Sequence, residues 1–375
     1  RLARKGRRVL VLEGNDTPGG LASNRVFAPG FTAPGCALWL TQLPPALVKE
    51  LQLDPHGLEY AARNIATVGL QAGGDHLVLD GNQATGPGLG ADDEAAFAEL
   101  QRLLRKINKL LLRLAQRPPP RLVDGGLGER LQLADTGLRL RLMGRDDMSE
   151  LMRQALNNIY DMLQERFDHP LLKGMLALEA VQGTHLGPRS PNTVYTFLQR
   201  QLGVAWGAGV SQVRGGMATL AQALAGAAEQ AGAELRCSAR VEAITMSGER
   251  VAGVTLASGE QVAAACVVSG VDPVTTFSRL LGLDKVETDT ARRVSQIRNK
   301  SGTAKLHLAL KSLPEFTGLD ETALGQRLLI APDMDYVERA FNPVKYNDYA
   351  REPTMDISIP TVNDPGLAPD GQHVL

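Results

Sequence analysis

Residues 7–13 read RRVLVLE, a continuous apolar run closed by a carboxylate and followed by GNDTPGG. A strand with no polar alternation is covered on both faces, as a parallel strand lying between helices is. In a dinucleotide-binding βαβ unit an acidic residue ends the second strand, roughly 20 residues past a glycine-rich turn, and accepts hydrogen bonds from ribose hydroxyls. Glu13 stands in that place, with a solvated strand-end residue as the alternative. Gly19 and Gly20 lack a Cβ, so their backbone can approach a phosphate or ribose, although a Gly-Gly pair also serves as a plain turn. Upstream, RLARKG reads as the last turn of an amphipathic helix with Gly6 as its C-cap. The chain has no initiator Met and is expected to be a fragment that opens in mid-helix.

Further along, the pattern is weak and glycine-rich between about residues 40 and 90. Apolar residues then recur at helical spacing from Asp92 to Gln116, and the helix stops at RPPP. A single helix is expected over Ser149–Phe167, and His169-Pro170 opens another, LLKGMLALEAV. That region ends at the loop GTHLGPRSPNT, residues 183–193. RGGMATLAQALAGAAEQAGAEL then reads as a Gly-Gly turn opening an alanine-rich helix. Strands follow at Glu234–Cys237 with Val241–Met246, at Val251–Ala257 and at Gln261–Ser269, with SGE turns between them. TAKLHLAL (303–310) and TMDISIPTV (354–362) alternate as half-buried antiparallel strands do.

Composition excludes several classes of function. The net charge of −1 offers nothing to nucleic acid. Cys36, Cys237 and Cys266 stand far apart without a CxxC, and six scattered histidines form no HExxH pair, so no protein-bound metal is expected. Widely spaced cysteines fit a reducing, cytoplasmic compartment. No run approaches the roughly 20 apolar residues of a membrane span. The basic residues Arg102, Arg105, Lys106, Lys109 and Arg113 surround the apolar face of the 92–116 helix; a solvated charged face is the expectation, and a peripheral membrane contact the alternative.

VLVLEGNDTPGGLAS and PGFTAPGCALWL together resemble the FAD-binding N-terminal segment of the phytoene desaturase and amine oxidase-like flavoproteins. The resemblance is nearest to the bacterial-type carotenoid desaturase/ketolase branch, which includes the pyridine nucleotide-disulfide oxidoreductase domain-containing proteins. LGPRSPNTVYTFL, VRGGMATLAQALAGAAEQAGAELRCSARVEAI, RVAGVTLASGEQVAAACVVSGVDPVTTF, AKLHLAL and IPTVNDPGLAPDGQHVL are similar to later segments of that branch, in the same order. The resemblance implies an α/β fold: a glutathione-reductase-type, Rossmann-like FAD domain with a β-meander, its first βα unit missing. It also implies an α+β substrate domain with an antiparallel sheet and a helical insertion. Expected boundaries are 1–60 and 211–285 for the FAD domain, 61–210 for the mainly helical insertion and 286–375 for the rest of the substrate domain. The family's GxGxxG turn and its closing flavin-contacting segment would lie outside residues 1–375, so this chain is expected to bind FAD poorly.

Carried over residue by residue, Glu13 matches the ribose-binding acid and Gly19 and Gly20 the glycine pair, with Leu21 where many members have Arg. Gly35 and Cys36 match the pair beside the flavin ring, with a packed thiol the expectation for Cys36. Val241 matches the residue whose backbone holds adenine, Ser269 and Gly270 end the strand returning to the cofactor, and Arg214, Gly215, Gly216 and Met217 open the helix facing it. His185 is a weak catalytic candidate, a capped loop histidine being the commoner case. Arg189, His307 and Met217 are weak substrate candidates, with His307 expected on the side opposite Leu306 and Leu308 and away from the core, or lining a substrate cavity. The implied activity is FAD-dependent hydride removal from a hydrophobic, isoprenoid-like small molecule. The alternatives are a non-catalytic flavoprotein-fold assembly or interaction protein and an amine oxidase, with an NAD-dependent dehydrogenase a weaker match to the meander.

Overall fold

The computed structural model describes residues 1–121, 125–207 and 209–375. The chain opens with a 3-10 turn, Ala3–Lys5, capped by Gly6 at φ 73°, whose amide donates to the Ala3 carbonyl. β1 (Leu10–Leu12) follows, and then the antiparallel pair β2 (Asn24–Ala28) and β3 (Phe31–Pro34) turned at Gly30. α1 (Pro45–Leu51) and the short strands β4 (Tyr60–Ala62), β5 (Thr67–Gly69), β6 (Leu77–Asp80) and β7 (Gln83–Thr85) come next.

The helical region holds α2 (Ala91–Ala115), α3 (Leu127–Leu142), α4 (Arg145–Gln154), α5 (Ile159–Arg166), α6 (Pro170–Val181) and α7 (Thr193–Arg200). The helix expected over 149–167 is therefore two helices. Asn158 caps α5 by accepting from the Asp161 amide at 2.8 Å, and the Asn157 side chain accepts from the Asn158 amide at 2.9 Å. Side chains that bond their own backbone compete with helix continuation, and the Asn-Asn pair outweighs the apolar periodicity there. His169 caps α6 through Nδ1, and Asp93 of α2 accepts from the amides of Asp168 and His169 at 2.8 and 2.9 Å, pinning the α5–α6 corner to α2.

After β8 (Gln212–Val213), α8 (Met217–Gln230) leads into β9 (Glu234–Arg236) and the meander β10 (Val241–Ser247), β11 (Arg250–Leu256) and β12 (Gln261–Ala263). The last of these is shorter than expected, because ladder pairing to β11 ends at the Gly253–Ala263 pair. α9 (Thr288–Ser295), β13 (Ala309–Leu310), β14 (Arg327–Ile330), α10 (Met334–Phe341), β15 (Met355–Ile357) and β16 (His373–Val374) complete the chain.

The largest sheet has the order β15-β14-β5-β6-β7. It is mixed and not antiparallel as expected: β14 runs parallel to β5, while the other neighbours are antiparallel. Parallel neighbours need a long crossover, and here the whole helical region and the meander lie between them. The sheet also shows that residues 67–69, within the expected helical insertion, pair directly with 327–329 and so share one sheet with them. α2, α5, α6, α7 and α10 enclose an apolar core around Phe97, Leu104, Leu163, Leu172, Met175 and Phe197. At about 1.5–3 kcal/mol for each such side chain, burial in this layer is the main force holding the helices together.

Four smaller apolar clusters among the described residues accompany it, two of them beside α8 and the meander. The apolar face of α8, with Leu220, Ala223 and Ala227, packs on Leu53, Leu58 and Val213. Ile244, Val254 and Leu256 of the meander pack with Ala239 and with Leu12 of β1. Among the described residues, no helix is long and apolar enough to cross a membrane.

Candidate functional site

β1 and β9 lie side by side and parallel, pairing Leu10 with Glu234, Val11 with Leu235 and Leu12 with Arg236. The alignment continues past the strands. The Glu13 amide donates to the Arg236 carbonyl at 2.9 Å, the Ala239 amide to the Glu13 carbonyl at 2.8 Å, and the Ser238 amide to the Asn15 carbonyl at 2.7 Å. Ser238 takes φ 51° to make that turn.

The half-buried Glu13 carboxylate is anchored through Oε1, which accepts from the Asn15 amide at 2.8 Å and from Asn15 Nδ2 at 3.0 Å. Oε2 has no protein donor among the described residues, so a diol offering two hydroxyls would find an acceptor already held in place. Val241 opens β10 at the edge of the three-stranded sheet. It pairs with Leu256, and the Ala257 amide bonds to the carbonyl of Arg240, one residue earlier. In an antiparallel ladder this register turns Val241's own N–H and C=O away from β11. The strand ends thus set Glu13 beside Arg236 and Ala239, two residues before Val241.

The glycine pair lies on α8. Gly19 takes φ 144°, and a Cβ there would meet the Ala221 Cβ at 3.3 Å; Gly20 takes φ 53° with open space beside it. The loop then folds back, with the Gly35 amide donating to the Ser23 carbonyl at 2.8 Å and the Ala37 amide to the Leu21 carbonyl at 3.1 Å. Lys305 Nζ donates to the carbonyls of Pro34 and Cys36 at 2.6 and 3.1 Å, and its partial burial lowers its pKa. Cys36 is an exposed thiol, not the packed one expected, since Lys305 grips the backbone on either side of Gly35 and leaves the side chain outside.

At the start of α8, Asn24 Nδ2 donates to the Gly215 carbonyl at 2.6 Å, and the Gly215 amide donates to the buried Asp364 carboxylate at 2.6 Å. Asn24 Oδ1 is buried with no partner among the described residues. Arg214 reaches Glu59 at 3.5 Å and Asp364 at 3.9 Å. Asn24, Lys305 and Asp364 were not singled out from the sequence. Lys305 shares an alternating face with His307, which was a usable signal; Asn24 and Asp364 carried none.

Other candidates lie elsewhere. His185 sits in the α6–α7 loop with its ring edge-on to Phe341 of α10 at 5.8 Å. Arg189 pairs with Asp335 at 2.9 Å and stacks over Tyr160 at 3.8 Å. Met217 belongs to the apolar core under α8. Ser269 Oγ lies 2.7 Å from Thr276 Oγ1, and Gly270 is exposed beside it. His307 is half-buried and stacked on Phe27 at 5.3 Å, while Leu306 and Leu308 face outward, so of its two expected placements the one turned away from the core does not hold. The cause is Lys305, whose tether to Pro34 and Cys36 turns the face it shares with His307 inward. Burial and the Lys305 charge lower the His307 pKa. Among the described residues, no group of His, Cys, Asp or Glu is placed to hold a metal ion.

Glu13 thus offers a carboxylate oxygen without a protein donor, Val241 backbone groups turned from β11, and Gly19–Gly20 a turn without side chains.

Residues 1–314 match the model of the flavin containing amine oxidoreductases. The chain is 27% identical over 412 residues to pyridine nucleotide-disulfide oxidoreductase domain-containing protein 2 of Mus musculus, covering 100% of this chain and 69% of that protein. It is 28% identical over 387 residues to the phytoene dehydrogenase of Streptomyces griseus, covering 98% and 67%. The crystal structure of an oxidoreductase from Methanosarcina mazei superposes with a TM-score of 0.57 at 15% identity, covering 100% of this chain and 74% of that one, a likeness of fold.

Proposed function

The chain belongs to the flavin-containing amine oxidoreductase family, and on that footing we propose that it works as an FAD-dependent oxidoreductase of the desaturase type, removing hydride from a hydrophobic, isoprenoid-like substrate. The observation that carries this reading is the run of backbone bonds from Glu13–Asn15 to Arg236–Ala239, which joins two distant segments into one edge. Likeness to a phytoene dehydrogenase along 98% of the chain supports a C–C substrate over an amine.

When bound, FAD supplies the hydride acceptor. Glu13 Oε2 would accept from the adenosine ribose hydroxyls, with Oε1 held by Asn15. The outward amide and carbonyl of Val241 would hold the adenine. Gly19 and Gly20 would let the backbone approach the diphosphate, where Leu21 contributes no charge. Gly35 and Cys36, their backbone fixed by Lys305, would hold the flavin end. The inward stack of Phe27 and His307 keeps water from the neighbouring side, which a hydride transfer requires.

The test is anaerobic bleaching of the flavin absorbance in protein expressed from the complete reading frame. A C40-type polyene substrate should bleach it and alkylamines should not. Bleaching by amines alone would replace the desaturase reading with amine oxidation, and protein that takes up no FAD would remove both.

A further inference from the structure

Two cations meet at Gly35. Arg25 of β2 pairs with Ala33 of β3, which makes Gly35 its diagonal neighbour on the same face of the ladder. The arginine side chain lies across the glycine: a Cβ built on Gly35 would stand 3.2 Å from Arg25 Nε and 3.3 Å from Arg25 Cγ. Lys305 reaches the same residue, its Nζ donating to the carbonyls of Pro34 and Cys36 on either side of it. Arg25 is exposed, and among the described residues its side chain makes no ion pair and no hydrogen bond. Its place over Gly35 is therefore not explained by any bond within the chain.

The segments that converge here are also free of acid. The chain has 41 Asp and Glu residues, yet none lies in 17–49, which holds the hairpin, or in 290–314, which holds Lys305. None lies in 180–228 either, which reaches β2 through the bond from Asn24 to Gly215. Carboxylates on other elements packed nearby have partners or stand apart. Asp364 accepts from the Gly215 amide, and Asp356, whose charge is felt at Lys305, is held by Arg327 and Gln182. Asp370 follows Pro369, which covers Gly30 at the opposite end of the hairpin from Gly35. Two cations over a residue without a side chain, with no acid set against them, are prepared for an anion.

On the reading of this chain as an FAD-dependent oxidoreductase, Gly35 lies at the flavin end, and the anion arises from the reaction itself. A hydride takes both electrons of the substrate C–H bond, so a neutral ring that accepts it becomes a monoanion, while the proton on the neighbouring carbon leaves to a base or to water. We propose that Arg25 is the electrostatic partner of that charge, favouring the reduced cofactor over the oxidised one across Gly35. A cation already in place needs no reorganisation when the charge appears. The absence of a Cβ at Gly35 lets the guanidinium and the ring share one face of the loop. The proposal rests on the flavin reading, and its test separates the two.

The test is the reduction potential of the bound flavin, measured beside the Kd for oxidised FAD, in protein expressed from the complete reading frame. Arg25→Gln keeps a polar stem over Gly35 and removes the charge. It should lower the ratio of affinities for reduced and oxidised FAD by about tenfold. For a two-electron couple that is a shift of about 30 mV to more negative potential. The Kd for oxidised FAD should change by less than about threefold. Arg25→Lys should restore most of the shift, and Arg250→Gln, which removes an exposed charge at the start of β11, should cause none. An unchanged potential in Arg25→Gln overturns the proposal, as does a shift that Arg25→Lys does not reduce. Equal loss of affinity for both redox states would set Arg25 on the diphosphate and overturn it too. Protein that takes up no FAD would overturn the flavin reading on which the proposal stands.

Discussion

The amide of Ala239 donates to the carbonyl of Glu13 over 2.8 Å, joining a strand end near the start of the chain to one that follows the entire helical region. The bond is between backbones, so it places the Glu13 side chain without involving it. Glu13→Ala removes only the two local bonds from Asn15 and is expected to lower the melting temperature by about 2–4 °C. Loss of a charged acceptor for ribose should weaken FAD binding by about tenfold or more. Fluorescence titration of the protein from its complete reading frame checks this, and unchanged affinity would show that Glu13 is not the ribose acid.

A second prediction concerns Arg327. Its guanidinium is almost wholly buried and donates to Glu179 Oε2 at 2.7 Å, Gln182 Oε1 at 2.8 Å and Asp356 Oδ2 at 3.1 Å. It clamps β14 to β15 and to the end of α6. Arg327→Met leaves two carboxylates in a dry site without their main counter-charge, and it should destabilise the fold by about 3–5 kcal/mol in urea unfolding.

The same cluster sets an acid limit. Although burial opposes ionisation, Arg327 and Arg200 lower the Glu179 pKa from 4.5 to about 2. Because the folded value lies below the unfolded one, the stabilisation is full above about pH 4.5. It declines as the pH falls towards 2, a loss on the order of 3 kcal/mol. Thermal unfolding followed across that window should show a steep decline that Glu179→Gln flattens, from a lower starting stability.

The opening of α8 tolerates no side chain. Gly216 takes φ 82°, and a Cβ there would come within 2.5 Å of Asn24 Oδ1. Gly216→Ala should cost about 1–3 kcal/mol. In an Asn24→Ala background the substitution should cost less, since the clash is gone and only the dihedral strain remains. Equal costs in both backgrounds, by thermal melts of the four proteins, would rule out the contact.

Much of this fold was legible in the chain itself. The Gly-Gly opening of α8 and the meander turns depend on bonds between near neighbours, which composition and spacing record; the apolar run ending at Glu13 forms the expected parallel strand but pairs with distant Glu234–Arg236 and leaves Val11 40% exposed, so it is not covered on both faces as expected. Glu13, Gly19 and Gly20 were picked out from local spacing, while Gly35 and Val241 were carried over from the family resemblance alone. The split between α4 and α5 was not, because hydrophobic periodicity ignores side chains that bond their own backbone, as Asn157 and Asn158 do.

What local sequence determined, then, is where strands, caps and glycine turns fall, since each rests on interactions within a few residues. Tertiary structure alone decided which ends meet. It set Ala239 on Glu13, Lys305 between Pro34 and Cys36, and His307 inward on Phe27. Each of these contacts is chosen by packing and hydrogen bonding between segments far apart in the chain, and no period or motif in one segment encodes what the other will present to it.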